Sequence, residues 1–232
     1  MMIGPLIDLL FPKECHICRR KLRTAESYLC IECSGKLPAT LYHRYWQGPG
    51  TMNPMEERIA GVIPFRHATA AWFYRRESPL AGVVADFKYR GFRRLAMTLG
   101  ERMASDLLVS GIFEGVDMLV PVPLHFTKRA RRGYSQTAMI ARGISLQTGI
   151  PVCCDLRAVR RHRTQTSLTP EERRKNTQGV FRMFNPSRYA GMHLLVIDDI
   201  CTTGSTLLAV GEAILRDVPA ARLSFLTLGV TY

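Results

Sequence analysis

The stretch LLVIDDICTTGST, residues 194–206, constrains the fold more than any other part of the chain. Four apolar residues followed by Asp198 and Asp199 predict a buried strand that ends in two acids. The next turn leads into STLLAVGEAILRDV, which has the apolar pattern of a helix. The N-terminus of a helix offers unpaired N–H groups and a favourable dipole to a phosphate. The stretch therefore predicts a phosphate pocket at the carboxyl end of a strand, where α/β proteins bind ligands.

The residue types in this stretch suit a ribose 5-phosphate. A glycine lets the backbone approach the phosphate, and Ser and Thr hydroxyls add donors. Asp198 and Asp199 would hold the sugar hydroxyls or an associated magnesium ion. The alternative is an ordinary strand whose polar residues only cap the next helix, but the order of the whole motif favours the pocket. The residues predicted to cradle the phosphate are Thr202, Thr203, Gly204, Ser205 and Thr206.

Several further apolar runs alternate with helical patterns. Strands are predicted at ATAAWFY, DMLVPVPL, IPVCCDLRAVR, HLLVIDDI and RLSFLTLGV, with helices between most of them. This order predicts an α/β fold with a mostly parallel sheet. No apolar run approaches the roughly 18 residues that a membrane helix needs, so we expect a soluble cytoplasmic protein. WQGPGTMNP, residues 46–54, predicts a linker that divides the chain into residues 1–50, a small module with its linker, and a main domain at residues 51–232.

Four of the seven cysteines form two closely spaced pairs, Cys15-x-x-Cys18 and Cys30-x-x-Cys33. Two such pairs provide four thiolates that can close a tetrahedron around zinc. Two disulfides are the alternative, but the reducing compartment expected for this chain favours the metal. Four protein ligands leave no open coordination position, so we predict a structural zinc ion in a small ribbon or knuckle.

Basic residues dominate the chain and concentrate in one segment. The net charge is +13, and 26 of the 32 basic residues are arginine, whose planar guanidinium suits phosphate recognition. Between Lys128 and Lys175, twelve Lys and Arg residues accompany three acids. This segment predicts binding of phosphorylated ligands or nucleic acid, with a solvated basic face as the alternative. Its polar part, residues 161–179, predicts a mobile functional loop or a short hairpin.

Several motifs together resemble a known family. LLVIDDICTTGST resembles the signature that binds phosphoribosyl pyrophosphate (PRPP) in type I phosphoribosyltransferases. The cysteine pairs and five other motifs are similar to those of the ComF family, competence-associated relatives of these enzymes. The resemblance extends over nearly the whole chain and implies a type I phosphoribosyltransferase-like fold, with a mostly parallel central sheet flanked by helices and a small N-terminal zinc module with four cysteine ligands. The five motifs are FKYRG (87–91), VPVPL (120–124), RARRGYSQ (129–136), RTQTSLTPEERRKN (163–176) and GVF (179–181).

The resemblance also implies roles for individual residues. Asp198 and Asp199 would meet the ribose hydroxyls, directly or through magnesium, and the turn after them would hold the 5-phosphate. One basic loop, after VPVPL, would face the pyrophosphate, and the long polar loop would close over the reacting centre. Lys88 of FKYRG is a further candidate for a phosphate contact. The side chains implied on the two loops are Lys128, Arg131 and Arg132 on the first, and Arg163 and Gln165, supported by Arg174 and Asn176, on the second.

At the level of function, the resemblance implies a PRPP-binding protein of DNA uptake and natural transformation, acting beside a helicase and a recombination loader. As an enzyme it would transfer the pentosyl group of PRPP to an acceptor that the sequence does not identify. Two alternatives stay open. One is a phosphoribosyltransferase of nucleotide salvage with no DNA role. The other is a non-catalytic single-stranded DNA-binding protein regulated by PRPP, in which Tyr134 would stack on a base.

Overall fold

A four-stranded sheet forms the centre of the protein in the computed structural model. Its strands are β1 (Ala68–Phe73), β2 (Met118–Pro121), β5 (His193–Cys201) and β6 (Arg222–Val230). Their order is β1-β6-β5-β2, and all three pairings are parallel. The prediction of an α/β fold with a mostly parallel sheet is thus confirmed. The structure describes residues 13–47, 50–124, 133–160 and 179–231.

Helices cover both faces of this sheet. Along β5, Leu194 and Val196 belong to one core, whereas Leu195 and Ile197 belong to the core on the opposite face. A strand buried on both faces is apolar throughout, which explains the LLVI run. The helices are α1 (Ile31–Gly35), α2 (Pro54–Glu57), α3 (Pro79–Tyr89), α4 (Arg93–Leu107), α5 (Gln136–Thr148) and α6 (Ser205–Asp217), with 3₁₀ turns at Tyr42–Gln47, Leu108–Ser110 and Pro186–Tyr189.

Several helices begin and end at the residues that the local sequence predicts. Pro79 occupies the first turn of α3, and Gly91, with φ of 80°, follows its last turn. The hydroxyl of Ser135 accepts a hydrogen bond from the amide of Ala138 at 3.4 Å and caps α5. Pro121 ends β2, which is an edge strand and tolerates the missing N–H donor.

Helices α4 and α5 pack with their backbones almost in contact. A Cβ atom added to Gly100 would lie 2.2 Å from the carbonyl oxygen of Ile140. One added to Gly143 would lie 2.0 Å from the carbonyl oxygen of Met97. The hydroxyl of Thr137 on α5 donates to the carbonyl of Val122 at 2.6 Å, so this helix also holds the chain that leaves β2.

The predicted strand IPVCCDLRAVR does not join the parallel sheet. Only Val152 forms a bridge to Leu119 before the chain turns away. Its second half forms β3 (Leu156–Ala158), which pairs antiparallel with β4 (Phe181–Met183) in a separate hairpin. At this point the carboxylate of Asp155 accepts a hydrogen bond from the Tyr189 hydroxyl at 2.7 Å. The residues that connect β3 to β4, 161–178, lie outside the described part of the chain.

The N-terminal region packs directly against β1. The amide of Thr40 donates to the carbonyl of Ala71 at 3.0 Å, and the amide of Phe73 donates to that of Pro38 at 2.7 Å, which covers the edge of the sheet. Trp46, in the predicted linker, donates from Nε1 to Glu56 Oε1 at 2.8 Å. The division of the chain into residues 1–50 and 51–232 stays a prediction. Within the described ranges, every helix is too short or too polar to span a bilayer.

Candidate functional site

The predicted phosphate turn follows β5 and leads into α6. The strand is longer than predicted, since it continues past the two acids to Cys201, which pairs with Val230 of β6. Gly204 has φ of 77°, a conformation that favours glycine, and forms the N-cap of α6. In the described part of the chain no side chain caps this helix, so its first N–H groups can receive an anion. The Thr203 hydroxyl donates to that of Ser205 at 3.1 Å on the same turn.

Arg58, which follows α2, holds this turn from outside. Its Nη1 donates to the carbonyl oxygen of Thr202 at 2.5 Å, and its Nη2 donates to that of Thr231 at 2.7 Å. The guanidinium thus ties the turn after β5 to the end of β6. Because these two carbonyls are turned toward Arg58, it acts as a brace for the backbone of the phosphate turn. Arg58 lies 144 residues from Thr202 in the chain, and its sequence context contains no signal of this contact.

The two acids occupy different environments. Asp198 is 8% exposed, and burial together with the charge of Asp199 raises the pKa of its carboxyl group to about 7. Its Oδ1 accepts a hydrogen bond from the Asp199 amide at 2.8 Å, which offsets part of that rise. Asp199 is more accessible and forms an ion pair, with its Oδ2 2.6 Å from Lys88 Nζ. The site thus holds one carboxyl that takes up a proton near neutral pH and one carboxylate that is paired with a cation.

Lys88 forms its ion pair from the end of a helix. It lies in the last turn of α3, and its side chain and that of Asp199 are each 18% exposed. A lysine paired with a carboxylate is held in place and remains able to turn toward an anionic ligand. Its predicted phosphate contact stays a prediction.

The four predicted metal ligands form one cluster. The sulfur atoms of Cys15, Cys18, Cys30 and Cys33 all lie within 4.8 Å of one another, and those of Cys18 and Cys30 are 3.8 Å apart. Tetrahedral zinc with bonds of about 2.3 Å needs sulfur atoms roughly 3.8 Å apart. A backbone hydrogen bond from Cys33 lowers the pKa of Cys30 to about 6, whereas burial and the neighbouring sulfurs raise the pKa of the Cys33 thiol, so a cation is needed to hold all four as thiolates. The cluster could therefore hold a metal ion such as zinc.

The cysteine cluster is anchored to the helix that carries Lys88. His16, between the first two cysteines, places Nδ1 2.5 Å from Asp86 Oδ2 on α3, and both side chains are largely buried. Its ring also meets the ring of Phe92 edge-on, with centroids 4.6 Å apart. Asp86 and Lys88 are two residues apart, so they point to different sides of α3. The last turn of this helix therefore lies between the cysteine cluster and the acidic pair.

An open cavity of about 580 Å³ lies beside Asp199 at the carboxyl edge of the sheet. One wall is formed by residues 74–77, which follow β1, and another by Lys88 and Asp199. Thr202 and Thr231, the two residues whose carbonyls Arg58 binds, close the remaining side. This volume is within the range of about 300–1,000 Å³ typical of small-molecule sites.

Some predicted site residues cannot be placed. Lys128, Arg131 and Arg132 of the first loop and Arg163, Gln165, Arg174 and Asn176 of the second lie outside the described part of the chain. The structure does correct the role considered for Tyr134. This residue is only 7% exposed, its hydroxyl donates to the carbonyl of Phe87, and Arg93 lies over its ring. Tyr134 therefore belongs to the core and offers no free ring to a base.

Comparison with known proteins decides the family. A model of the phosphoribosyl transferase domain matches residues 94–228, more than half of the chain, and the match includes the acidic pair and the turn after it. The chain belongs to the phosphoribosyl transferase domain family. The fold predicted from the motifs, a type I phosphoribosyltransferase-like sheet with a cluster of four cysteines at the N-terminal end, is thereby confirmed.

Relatives of this phosphoribosyl transferase domain protein include two groups of bacterial proteins. It is 29% identical to DNA utilization protein YhgH of Escherichia coli K12, with 89% of this chain and 86% of the relative covered. It is 24% identical to Competence protein ComFC of Bacillus subtilis, with 95% and 86% covered. Among solved structures, adenine phosphoribosyltransferase from Saccharomyces cerevisiae is 16% identical, covers 62% of this chain and 71% of its own, and has a TM-score of 0.37. The competence-protein relatives confirm the resemblance to the ComF family.

Proposed function

We propose that this protein binds PRPP at the carboxyl end of β5. The observation that carries the proposal is the uncapped N-terminus of α6 at Gly204, one short turn after the strand that carries Asp198 and Asp199. Exposed N–H groups would donate hydrogen bonds to the 5-phosphate, and the hydroxyls of the turn would add further donors. The acids would accept hydrogen bonds from the ribose diol. Membership in the phosphoribosyl transferase domain family supports this assignment.

The two acids suit magnesium, because this ion prefers oxygen ligands and keeps several waters when bound. The carboxylate of Asp199 is partly exposed, so water and substrate oxygens could complete the coordination. Asp199, with support from Asp198, would hold the ion, and magnesium would supply neutralisation of the pyrophosphate charge. Lys88 would stabilise the acidic pair while the site is empty and turn toward the ligand when the diol arrives. The brace from Arg58 would keep the turn in shape throughout. The four cysteines would hold a structural zinc ion.

The reaction that such a site would support is pentosyl transfer. The bond between the anomeric carbon and the pyrophosphate oxygen breaks, and its electron pair leaves with the pyrophosphate. A lone pair of the acceptor forms the new bond to that carbon, and the acceptor releases a proton to solvent. The protein would contribute positioning and charge stabilisation.

Calorimetry with PRPP and Mg²⁺ tests the proposal. We expect the wild type to bind and the double variant Asp198→Asn with Asp199→Asn to bind at least tenfold more weakly. Asp106→Asn is the matched control, because Asp106 is an acid on the surface of α4 that pairs with Arg102 at 2.8 Å, away from the site. Affinity unchanged in the double variant would refute the assignment. Pyrophosphate release with candidate acceptors then separates an enzyme from a binding protein.

A role in handling single-stranded DNA is the second part of the proposal. It is supported by the relatives named DNA utilization protein and competence protein. A specific observation also favours it: Arg157 and Arg182 face the same side of the β3–β4 hairpin, with guanidinium carbons 4.6 and 5.7 Å from the centre of the Phe184 ring. Arg160 lies beside them at the end of the same hairpin, and its side chain is exposed. This basic surface would contact a nucleic-acid backbone through its phosphates.

The cellular setting follows from the same proposal. We place the protein in the cytoplasm, where a reducing environment keeps the four thiols available for zinc. The helicase and the recombination loader implied by the resemblance would be its partners there. PRPP would then regulate DNA handling, and the salvage enzyme without a DNA role is the competing function.

Binding of oligo(dT) at several salt concentrations tests the DNA role. Each lost phosphate contact lowers the salt slope by about 0.7 for a single strand, so Arg157→Gln with Arg182→Gln should lower it by roughly 1.4. The control Arg23→Gln with Arg44→Gln removes the same charge from exposed positions outside the basic segment 128–175. A wild-type slope near zero, or equal slopes in the two double variants, would argue for a salvage enzyme. The same titration with PRPP present measures any regulation.

A further inference from the structure

We infer that the cavity beside Asp199 is the acceptor site, and that the acceptor carries an oxyanion group, a carboxylate or a phosphate. The inference rests on the proposed binding of PRPP and adds the class of the second ligand. Its basis is the arrangement of charged and apolar side chains around a cavity of about 580 Å³.

The order of the sheet gives the cavity its place relative to PRPP. The phosphate turn follows β5, which lies between β6 and β2. By resemblance, the loop that faces the pyrophosphate follows β2. The cavity begins at the end of β5, which contributes Asp199 and Ile200, and extends away from β2, because its other walls include residues 74–77 after β1 and Thr231 after β6. A ligand in this cavity would approach the anomeric carbon from the side opposite the departing pyrophosphate.

The cavity is also continuous with the site of the sugar. Asp199, a predicted diol ligand, forms part of its wall together with Lys88. The phosphate turn reaches it at Thr202. A molecule bound here would therefore lie next to the ribose and leave the N–H groups of α6 to the 5-phosphate.

Two adjacent arginines give the cavity its preference for an anion. Arg75 and Arg76 follow β1, line the cavity and are exposed. Within the described ranges Arg76 has no hydrogen-bond or ion-pair partner. Glu77 lines the same wall and opposes an anion, while Lys88 and Asp199 compensate each other. The wall outside that pair thus carries two positive charges against one negative, and guanidinium groups bind carboxylates and phosphates through paired hydrogen bonds.

The remaining lining favours a flat organic group. Tyr74 and Ile200 line the cavity, are partly buried and pack against the core on the α3 side of the sheet. An aromatic and a branched aliphatic side chain offer dispersion contacts to a ring. The fitting acceptor is a small planar molecule whose nucleophilic atom points toward Asp199 and whose oxyanion points toward the arginines.

Two matched pairs of probes test this inference on the full-length protein saturated with PRPP and Mg²⁺. Nicotinate is compared with nicotinamide, and phenyl phosphate with phenol, by calorimetry. We expect at least one anionic probe to bind at least tenfold more tightly than its neutral counterpart. Arg75→Gln with Arg76→Gln should remove that preference, whereas the equally charged control Arg23→Gln with Arg44→Gln, at exposed positions outside the cavity, should keep it. The pair that shows the preference distinguishes a carboxylate from a phosphate.

The outcomes separate this inference from the proposal beneath it. If PRPP itself fails to bind the wild type, the proposed function fails. If PRPP binds with equal affinity to wild type and to the Arg75 and Arg76 variant, but neither anionic probe is preferred, the acceptor assignment alone is overturned. The acceptor assignment is also overturned if the variant with Arg75 and Arg76 replaced keeps the preference for an anionic probe. It is supported if that variant loses the preference while the control variant keeps it.

Discussion

Replacement of Gly143 by alanine tests the packing that holds the site in place. Alanine in a helix is normally more stable than glycine by about 0.5–1 kcal/mol. At Gly143, however, the added Cβ would lie 2.0 Å from the Met97 carbonyl oxygen and 2.8 Å from the Glu101 amide nitrogen. These are backbone atoms, so the overlap can be relieved only if α4 and α5 move apart by about 1 Å. Overpacking of this kind costs roughly 1–3 kcal/mol or more.

The net expectation is a loss of about 2 kcal/mol in the free energy of unfolding. For a chain of this length that corresponds to a fall in Tm of about 4–8 °C. Urea and thermal unfolding followed by circular dichroism measure both quantities. Gly82→Ala is the matched control, because Gly82 lies inside α3 with nothing within 4 Å of an added Cβ. It should gain about 0.5–1 kcal/mol.

A gain or no change in Gly143→Ala would refute the reasoning, since it would mean that the two helices are not in backbone contact. An equal loss in Gly82→Ala would also refute it, because the effect would then be unrelated to packing. The position matters for function because α5 holds the chain that leaves β2 through the Thr137 hydroxyl.

Other predictions concern charge, metal and the phosphate turn. The pKa of Asp198 is raised to about 7 in the folded state, above its unfolded value of about 3.9. Between these two values the folded state binds more protons than the unfolded state, so the contribution of Asp198 to stability falls as pH rises from about 4 to 7. Asp198→Asn should therefore gain stability relative to wild type by on the order of 1–4 kcal/mol at pH 8 and little at pH 4, as measured by urea unfolding; a gain independent of pH contradicts this. Removal of the metal by a chelator should release zinc and lower Tm, and an unchanged Tm would exclude a structural metal. Asp86→Asn weakens the contact with His16 and should lower the free energy of unfolding by about 1–3 kcal/mol. Arg58→Lys cannot bind both carbonyls of the brace and should weaken PRPP binding severalfold in calorimetry, with wild-type affinity as the contrary result.

Features set by neighbouring residues were predictable from the sequence. The strand, turn and helix of LLVIDDICTTGST depend on hydrophobic periodicity, a glycine at positive φ and an exposed helix start, all within a few residues. The two cysteine pairs are equally local, because their spacing already limits how four sulfurs can meet. Ser78, Pro79 and Ser135 mark helix starts for the same reason. These signals, with the order of the elements, determined the fold class and the candidate residues at the end of β5.

Only the tertiary structure decided which distant residues meet. The pairing of β1 with β6 brings residues 74–77 to the edge of the site, and the position of α3 brings Lys88 to Asp199. Contacts such as Arg58 with Thr202 join residues more than a hundred positions apart, and no local propensity encodes them. The sequence also predicted a fifth strand where the chain instead leaves the sheet, and one open alternative let Tyr134 stack on a base, whereas its ring is buried. Local chemistry determines what a short segment can form, whereas burial, partners and the second wall of a cavity depend on how the whole sheet is assembled.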